Sequence, residues 1–229
     1  MILRLHPCWL RPITAVLIIS FSLPCFAATT KQSVAPNRLA VLDSIIQDAI
    51  HSGQIPGAVV LIGHNGKVIY RKSFGHRSLE PRRELMTLDT VFDVASLTKV
   101  VATTTAVMQL FELGKVRLSD AVEKYIPEFA QNGKQDITVR QLLTHYSGLP
   151  PDLDLQSPWQ GKDTAFRMAF EEKPQQPTGS GFLYSDINFI TLGALVERVS
   201  ALALDRYAEK NIFVPLKMTH TRFLPDAAW

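Results

Sequence analysis

Ser96-Leu97-Thr98-Lys99 opens a run that stays nearly apolar as far as Leu113, and Tyr184-Ser185-Asp186 follows much later in the chain. At a helix start, Ser-x-x-Lys puts a hydroxyl and an amine one turn apart on the same face, where the amine can take the serine's proton. That requires a neutral lysine, whose ordinary pKa is about 10.4. Bringing it to about 7 costs roughly 4 kcal/mol. Burial against an apolar helix and the positive helix N-terminus both act in that direction. Val100, Val101 and Thr103 to Thr105 are poor helix formers, so the run predicts a helix held by burial on every side and stopped at Gly114. Alone, Ser-x-x-Lys is common and reads equally as a capping serine before a solvated lysine. An apolar helix body fits a solvated lysine poorly, and a tyrosine after Gly179-Ser180-Gly181 sits where it can relay a proton.

The chain's bulk properties narrow the functional classes. Its 229 residues are 46% hydrophobic and 20% charged, as expected of an ordinary globular protein. Arg4 and Arg11, the apolar run Ile13 to Leu23, and Cys25-Phe26-Ala27 read as a secretory signal peptide over residues 1–27. The run is too short to span a bilayer, and Pro24 argues against a lipoprotein signal at Cys25. The expectation is an exported protein, periplasmic or secreted, with no membrane anchor after cleavage. Both cysteines, Cys8 and Cys25, leave with the signal, so the mature chain needs no disulfide. Both signal arginines leave too, and the formal net charge of +3 falls to +1. With no clustered basic face, a nucleic-acid partner is not expected.

Residues 28–36 read as a polar linker and residues 37–229 as one domain. Leu39, Leu42, Ile45, Ile46, Ala49 and Ile50 recur at helical spacing before Gly53. Ala58 to Ile62 and Lys67 to Tyr70 flank Asn65-Gly66, the signature of a type I′ hairpin. Asp120 to Tyr125 predicts a short helix ended by Pro127. Thr138-Val139-Arg140-Gln141 has the form of a capping box for a helix through His145, broken by Ser147 to Pro151. Further helices are expected near Thr164 to Glu172, Ile187 to Ser200 and Leu204 to Asn211. Several helices thus accompany one β-hairpin.

At this point the sequence resembles the serine β-lactamase and penicillin-binding protein family, in the branch of class C β-lactamases, D-amino-acid peptidases and related esterases. Ser96-x-x-Lys99 matches the family's first motif, and Tyr184-x-Asp186 stands where the family has Tyr-x-Asn. Leu142 to Pro150, Ile55-Pro56-Gly57-Ala58 and Pro215-Leu216-Lys217-Met218 are typical of that branch, all in order between Leu39 and Phe223. The resemblance implies an α+β, β-lactamase/transpeptidase-like fold, with an antiparallel sheet flanked by helices beside a mostly helical region. It implies that an amide or ester carbonyl (β-lactam, D-amino-acid peptide or small ester) acylates Ser96. Lys99 would activate the serine, Tyr184 would shuttle protons, and the Ser96 N–H would form half of an oxyanion hole. No cofactor or metal is implied. The partner would be a small-molecule or peptide substrate, with cell-wall-derived peptides among the candidates.

Two departures from the pattern carry expectations. Asp186 replaces an asparagine, and an ionised carboxylate only accepts hydrogen bonds where an amide also donates. Near Lys99 it would favour the ammonium form and oppose activation, tilting the chemistry toward ester or peptide substrates. The bland alternative is that Asp186 caps the helix starting at Ile187. Secondly, no Lys-Thr-Gly or His-x-Gly segment follows Tyr184, and His64-Asn65-Gly66 lies in the early hairpin. The expectation is therefore the N-terminal part of a hydrolase domain with an incomplete sheet, showing little activity alone. Two rivals stand beside the enzyme: a non-catalytic penicillin-binding-like module and an inactive truncated product. Elsewhere, His145 with Ser147 reads as a structural turn rather than a second catalytic pair. Trp159 and Phe182 read as packing before cleft lining. His51, His64, His76 and His220 lack metal-ligand spacing, and Arg82-Arg83 reads as a solvated loop.

Overall fold

Asn65 and Gly66 take φ values of 48° and 71°, the paired left-handed conformation that a type I′ turn requires. They lie in a computed structural model that describes residues 36–154, 156 and 158–225. The expected signal peptide and nearly all of the expected linker lie outside the described residues. The chain forms two compact units, divided after Leu88.

In the first unit, helices α1 (Pro36–Leu39) and α2 (Val41–His51) precede strands β1 (Gly57–His64), β2 (Lys67–Ser78) and β3 (Glu84–Leu85). The strands form an antiparallel sheet in the order β1-β2-β3, with Gly57 opposite Gly75 and His64 opposite Lys67. β2 runs well past the expected Tyr70, because Arg71 to Gly75 continue the pairing with β1, and His76 and Ser78 pair with β3 inside the polar stretch. α2 ends as predicted at Gly53, whose N–H donates to the Ile50 carbonyl at 3.0 Å. Asp43 on α2 ties to β2: the Tyr70 hydroxyl donates to it, and Lys72 Nζ lies 2.6 Å from its other oxygen. The hydrogen bond to that carboxylate pushes the Tyr70 phenol up to about 12.

The second unit is mostly helical. Residues 97–98 lead into a π-helical segment, Lys99–Thr104, which continues as α3 (Thr105–Glu112). Then come α4 (Val139–Leu143), α5 (Lys162–Glu171), α6 (Asp186–Ser200) and α7 (Leu204–Ala208), the last running into a π-turn over Glu209–Phe213. Ala102, Ala106 and Leu110 with Val107 bury one stripe of the 97–112 helix against Phe129, Leu142, Leu149, Ile187 and Leu195. The expectation of burial all round is corrected: Leu97, Val100 and Leu113 are more than 60% exposed. Only one face of the helix, carrying Ala102, Thr103, Ala106, Val107 and Leu110, is buried. The β-branched run that disfavours α-helix is where the wider π-segment sits, a feature often found at functional sites.

The predicted helix at 120–125 is instead a 3₁₀ turn, Val122–Lys124, followed by another at Pro127–Ala130. Ala121 is extended and bridges Thr138, and the Val122 N–H donates to the Ile137 carbonyl at 2.8 Å. Those donors are thereby taken from a helix. The Thr138 capping box is present in both directions, Gln141 N–H to Thr138 Oγ1 at 3.2 Å and Thr138 N–H to Gln141 Oε1 at 2.9 Å. The unit also buries Lys134 completely, its Nζ donating to the Phe170 carbonyl at 2.8 Å and the Glu172 carbonyl at 2.5 Å.

Candidate active site

Three segments of the second unit meet at the predicted site residues. Ala95, held at φ 44° with its N–H donating to Asp93 Oδ1 at 2.8 Å, turns the chain sharply into Ser96. A non-glycine residue at positive φ is uncommon and marks a locally strained turn. Here it delivers the exposed Ser96 hydroxyl at the mouth of the helix. Lys99, one turn on, donates from Nζ to Ser96 Oγ at 3.0 Å. The second segment is the turn 145–151, and the third is Phe182 to Asp186, which opens α6.

The 182–186 segment is pinned by its backbone. The Leu183 N–H donates to the His145 carbonyl at 2.9 Å and the Asp186 N–H to the Pro151 carbonyl at 2.7 Å. The Ser185 N–H donates to His145 Nδ1 at 3.1 Å. The N-cap of α6 is Ser185, whose Oγ accepts from the Asn188 N–H at 3.4 Å and donates to the Pro150 carbonyl at 2.5 Å. This corrects the reading of Asp186 as a helix cap. Asp186 is the first helical residue, and its carboxylate turns to Lys99, Oδ1 to Nζ at 2.7 Å. Lys99 Nζ also lies 5.2 Å from the Tyr184 ring centroid and 5.8 Å from that of Phe189. Ser96, Lys99, Tyr184 and Asp186 thus form one cluster.

The electrostatics differ from the simplest expectation for Lys99. Burial pushes its pKa down, as predicted. The Asp186 carboxylate and the Tyr184 oxygen beside it outweigh that, and the net effect holds Lys99 above its ordinary value. The reverse holds for Tyr184, whose pKa is lowered by a hydrogen bond from Ser96 and by the Lys99 ammonium. The cluster therefore keeps the amine charged and eases ionisation of the phenol.

A cavity of about 700 Å³ opens beside Ser96 and Lys99, with Phe166, Phe189 and Ile190 as an apolar wall. Neither Trp159 nor Phe182 lines it. Trp159 packs on the core with its Nε1 donating to the Asp154 carbonyl at 3.3 Å. Phe182 is 62% exposed and meets the His145 ring edge-on at 5.6 Å. His145 and Ser147 do not act as a pair: Ser147 Oγ donates to Asn188 Oδ1 at 2.6 Å and accepts from the Leu149 N–H at 3.1 Å. The sequence reading missed the contact between His145 and Tyr184, whose rings stack at 4.4 Å. No local signal marks it, since 39 positions of chain separate two residues that only the fold brings together. Among the described residues no group of three or more side chains is suited to a metal ion, and no single helix is long and apolar enough to cross a membrane.

Gly148 holds the turn at φ 80°, and a Cβ there would lie 2.2 Å from the Gln176 carbonyl oxygen. Gly148→Ala is expected to lower stability by at least about 2 kcal/mol, combining a left-handed alanine with a backbone overlap. A chemical denaturation midpoint equal to the parent's would contradict this.

Comparison with known proteins places this geometry. A family model described as Beta-lactamase matches residues 42–229. A Salmonella agona protein provisionally named a D-alanyl-D-alanine carboxypeptidase is 30% identical, over 93% of this chain and 56% of its own length. The chain thus spans about half the length of that curated relative. The solved structure of EstCE1, a hydrolase with promiscuous acyltransferase activity, aligns with a TM-score of 0.71 at 28% identity, covering 81% of this chain and 53% of that one. A class C beta-lactamase aligns with a TM-score of 0.71 at 25% identity, covering 84% and 52%. Carrying the family's match across most of its length and its fold around the serine–lysine cluster, the chain belongs to the beta-lactamase family of serine hydrolases.

Proposed function

We propose that this protein forms an acyl-enzyme on Ser96 from an amide or ester carbonyl. The observation that carries this reading is the 3.0 Å contact between Lys99 Nζ and Ser96 Oγ, with Tyr184 and Asp186 completing the cluster. Ser96 Oγ attacks the carbonyl carbon, and its proton passes to the Tyr184 oxygen. The bond to the leaving group then breaks, and the leaving group takes that proton from Tyr184. Lys99, held charged, is not the acceptor at neutral pH. It stabilises the phenolate and orients the serine. The expected roles of lysine as activator and tyrosine as shuttle thus merge: the cation acts through the tyrosine. The apolar wall of Phe166, Phe189 and Ile190 supports a substrate with an apolar acyl group.

The test is intact mass after incubation with a fluorophosphonate probe and, separately, a penicillin, with Ser96→Ala as control. A Ser96-dependent adduct supports the reading; a well-folded protein with no adduct favours the non-catalytic module. Export is also proposed, with a mature N-terminus at Ala28 as its readout.

Asp186 bears on the substrate class. Asp186→Asn removes the carboxylate whose charge raises the Tyr184 pKa, and supplies an amide donor. The variant is expected to acylate faster with a β-lactam and to reach half-maximal rate at lower pH. No gain with the β-lactam would count against Asp186 as a bias toward esters or peptides.

A further inference from the structure

His145 is buried and, at φ 59°, in the left-handed region, although it is neither glycine nor asparagine. That conformation costs energy, so the surroundings must hold it there. What it achieves is visible in its contacts with one short segment. Its carbonyl accepts the N–H of Leu183 at 2.9 Å, and its Nδ1 accepts the N–H of Ser185 at 3.1 Å. The residue between them is Tyr184. The imidazole then stacks on the Tyr184 ring at 4.4 Å, tilted by 27°.

We propose that His145 is a positioning residue for Tyr184, gripping the backbone on both sides of it and one face of its ring, and so setting where the phenol points. This rests on the reading of Tyr184 as the group that exchanges the Ser96 proton. A tyrosine that is 42% exposed has freedom to swing into solvent unless something fixes it. Neither Lys99 nor Ser96 holds its backbone; His145 does.

The arrangement also requires a particular protonation state. Because Nδ1 accepts, the neutral ring carries its proton on Nε2. Protonated at both nitrogens, it would set an N–H against the Ser185 N–H and release the grip. The titratable groups facing it are Lys99, Asp186 and Tyr184. Burial and then the Lys99 cation lower its pKa, with Asp186 opposing, so the accepting form prevails at neutral pH.

The test compares the protein with its His145→Asn and His145→Ala variants, by the pH dependence of Ser96 labelling with a fluorophosphonate and by NMR titration of ¹³Cζ-labelled Tyr184. Asparagine tolerates the left-handed backbone and offers an amide oxygen to Ser185, but does not titrate. The parent is expected to lose labelling as acidity protonates His145. His145→Asn should keep most of the labelling at neutral pH and lose the added acid-side fall that His145 protonation causes, leaving only the limb set by Tyr184 itself. His145→Ala should label roughly 10²-fold more slowly, the size of effect a small misplacement produces. Its Tyr184 should titrate nearer to free tyrosine. If His145→Ala does not fold, His145→Asn decides on the acid limb. An acid limb unchanged in His145→Asn, or Tyr184 titrating alike in the parent and the folded variants, would overturn the proposal. If the parent shows no Ser96-dependent labelling, the acyl-enzyme reading fails instead, and the Tyr184 titration still judges His145.

Discussion

Lys99→Met slows acylation of Ser96 by about 10³-fold, the expected result if the cation drives proton transfer through Tyr184. Methionine keeps the length and packing of the side chain but not its charge or donors. Ser96 Oγ loses the 3.0 Å donor that orients it, and Tyr184 loses the ammonium that lowers its pKa. The phenol should then titrate closer to its ordinary value, leaving less of the basic form near neutrality. Asp186 loses its ion-pair partner, and because the Oδ1 that faces Lys99 is buried, some stability is lost as well. Labelling rates followed by mass, with a circular dichroism melt, separate chemistry from folding. A well-folded variant labelling within tenfold of the parent would remove Lys99 from the mechanism.

Lys134→Met is the second large effect, and it concerns stability. Burial lowers the Lys134 pKa from 10.5 to about 8, with the Glu172 charge opposing. The unfolded chain therefore holds the proton more tightly than the native one. The native state bears the full cost of a buried charge below about pH 8. That cost is relieved as pH rises from about 8 to 10.5, so stability contributed by this group increases across the window. The gain is at most about 3 kcal/mol. Methionine orphans the Glu172 carbonyl, worth about 1–3 kcal/mol when buried without a donor, while the Phe170 carbonyl keeps the Gln131 Nε2 donor at 3.0 Å. It also abolishes the titration. The variant should be less stable than the parent, by a gap that widens between pH 8 and 10.5 in urea unfolding. A gap that stays constant or narrows would contradict the assignment.

Much of the local structure was legible because it is encoded by neighbours in the chain. Asn65-Gly66 demanded positive φ at two successive residues, Thr138 and Gln141 satisfied each other's backbone donors, and Gly53 stopped α2. Ser96 and Lys99 could be paired in advance since three residues of helix bring them together. The miss at Val122–Lys124 came from Thr138, which takes Ala121 into an extended bridge that no window around Asp120 reveals.

The sequence by itself determined the turn chemistry, most of the helix positions, the fold class and the candidate serine, lysine and tyrosine. Only the tertiary structure decided their electrostatic state. Asp186 on α6 meets Lys99 on the π-segment and keeps it charged, and His145 grips Tyr184 from across the site. Helix and turn preferences depend on backbone sterics and donors within a few residues. A pKa depends on which charges lie within a few ångströms and how much water remains, and chain order specifies neither.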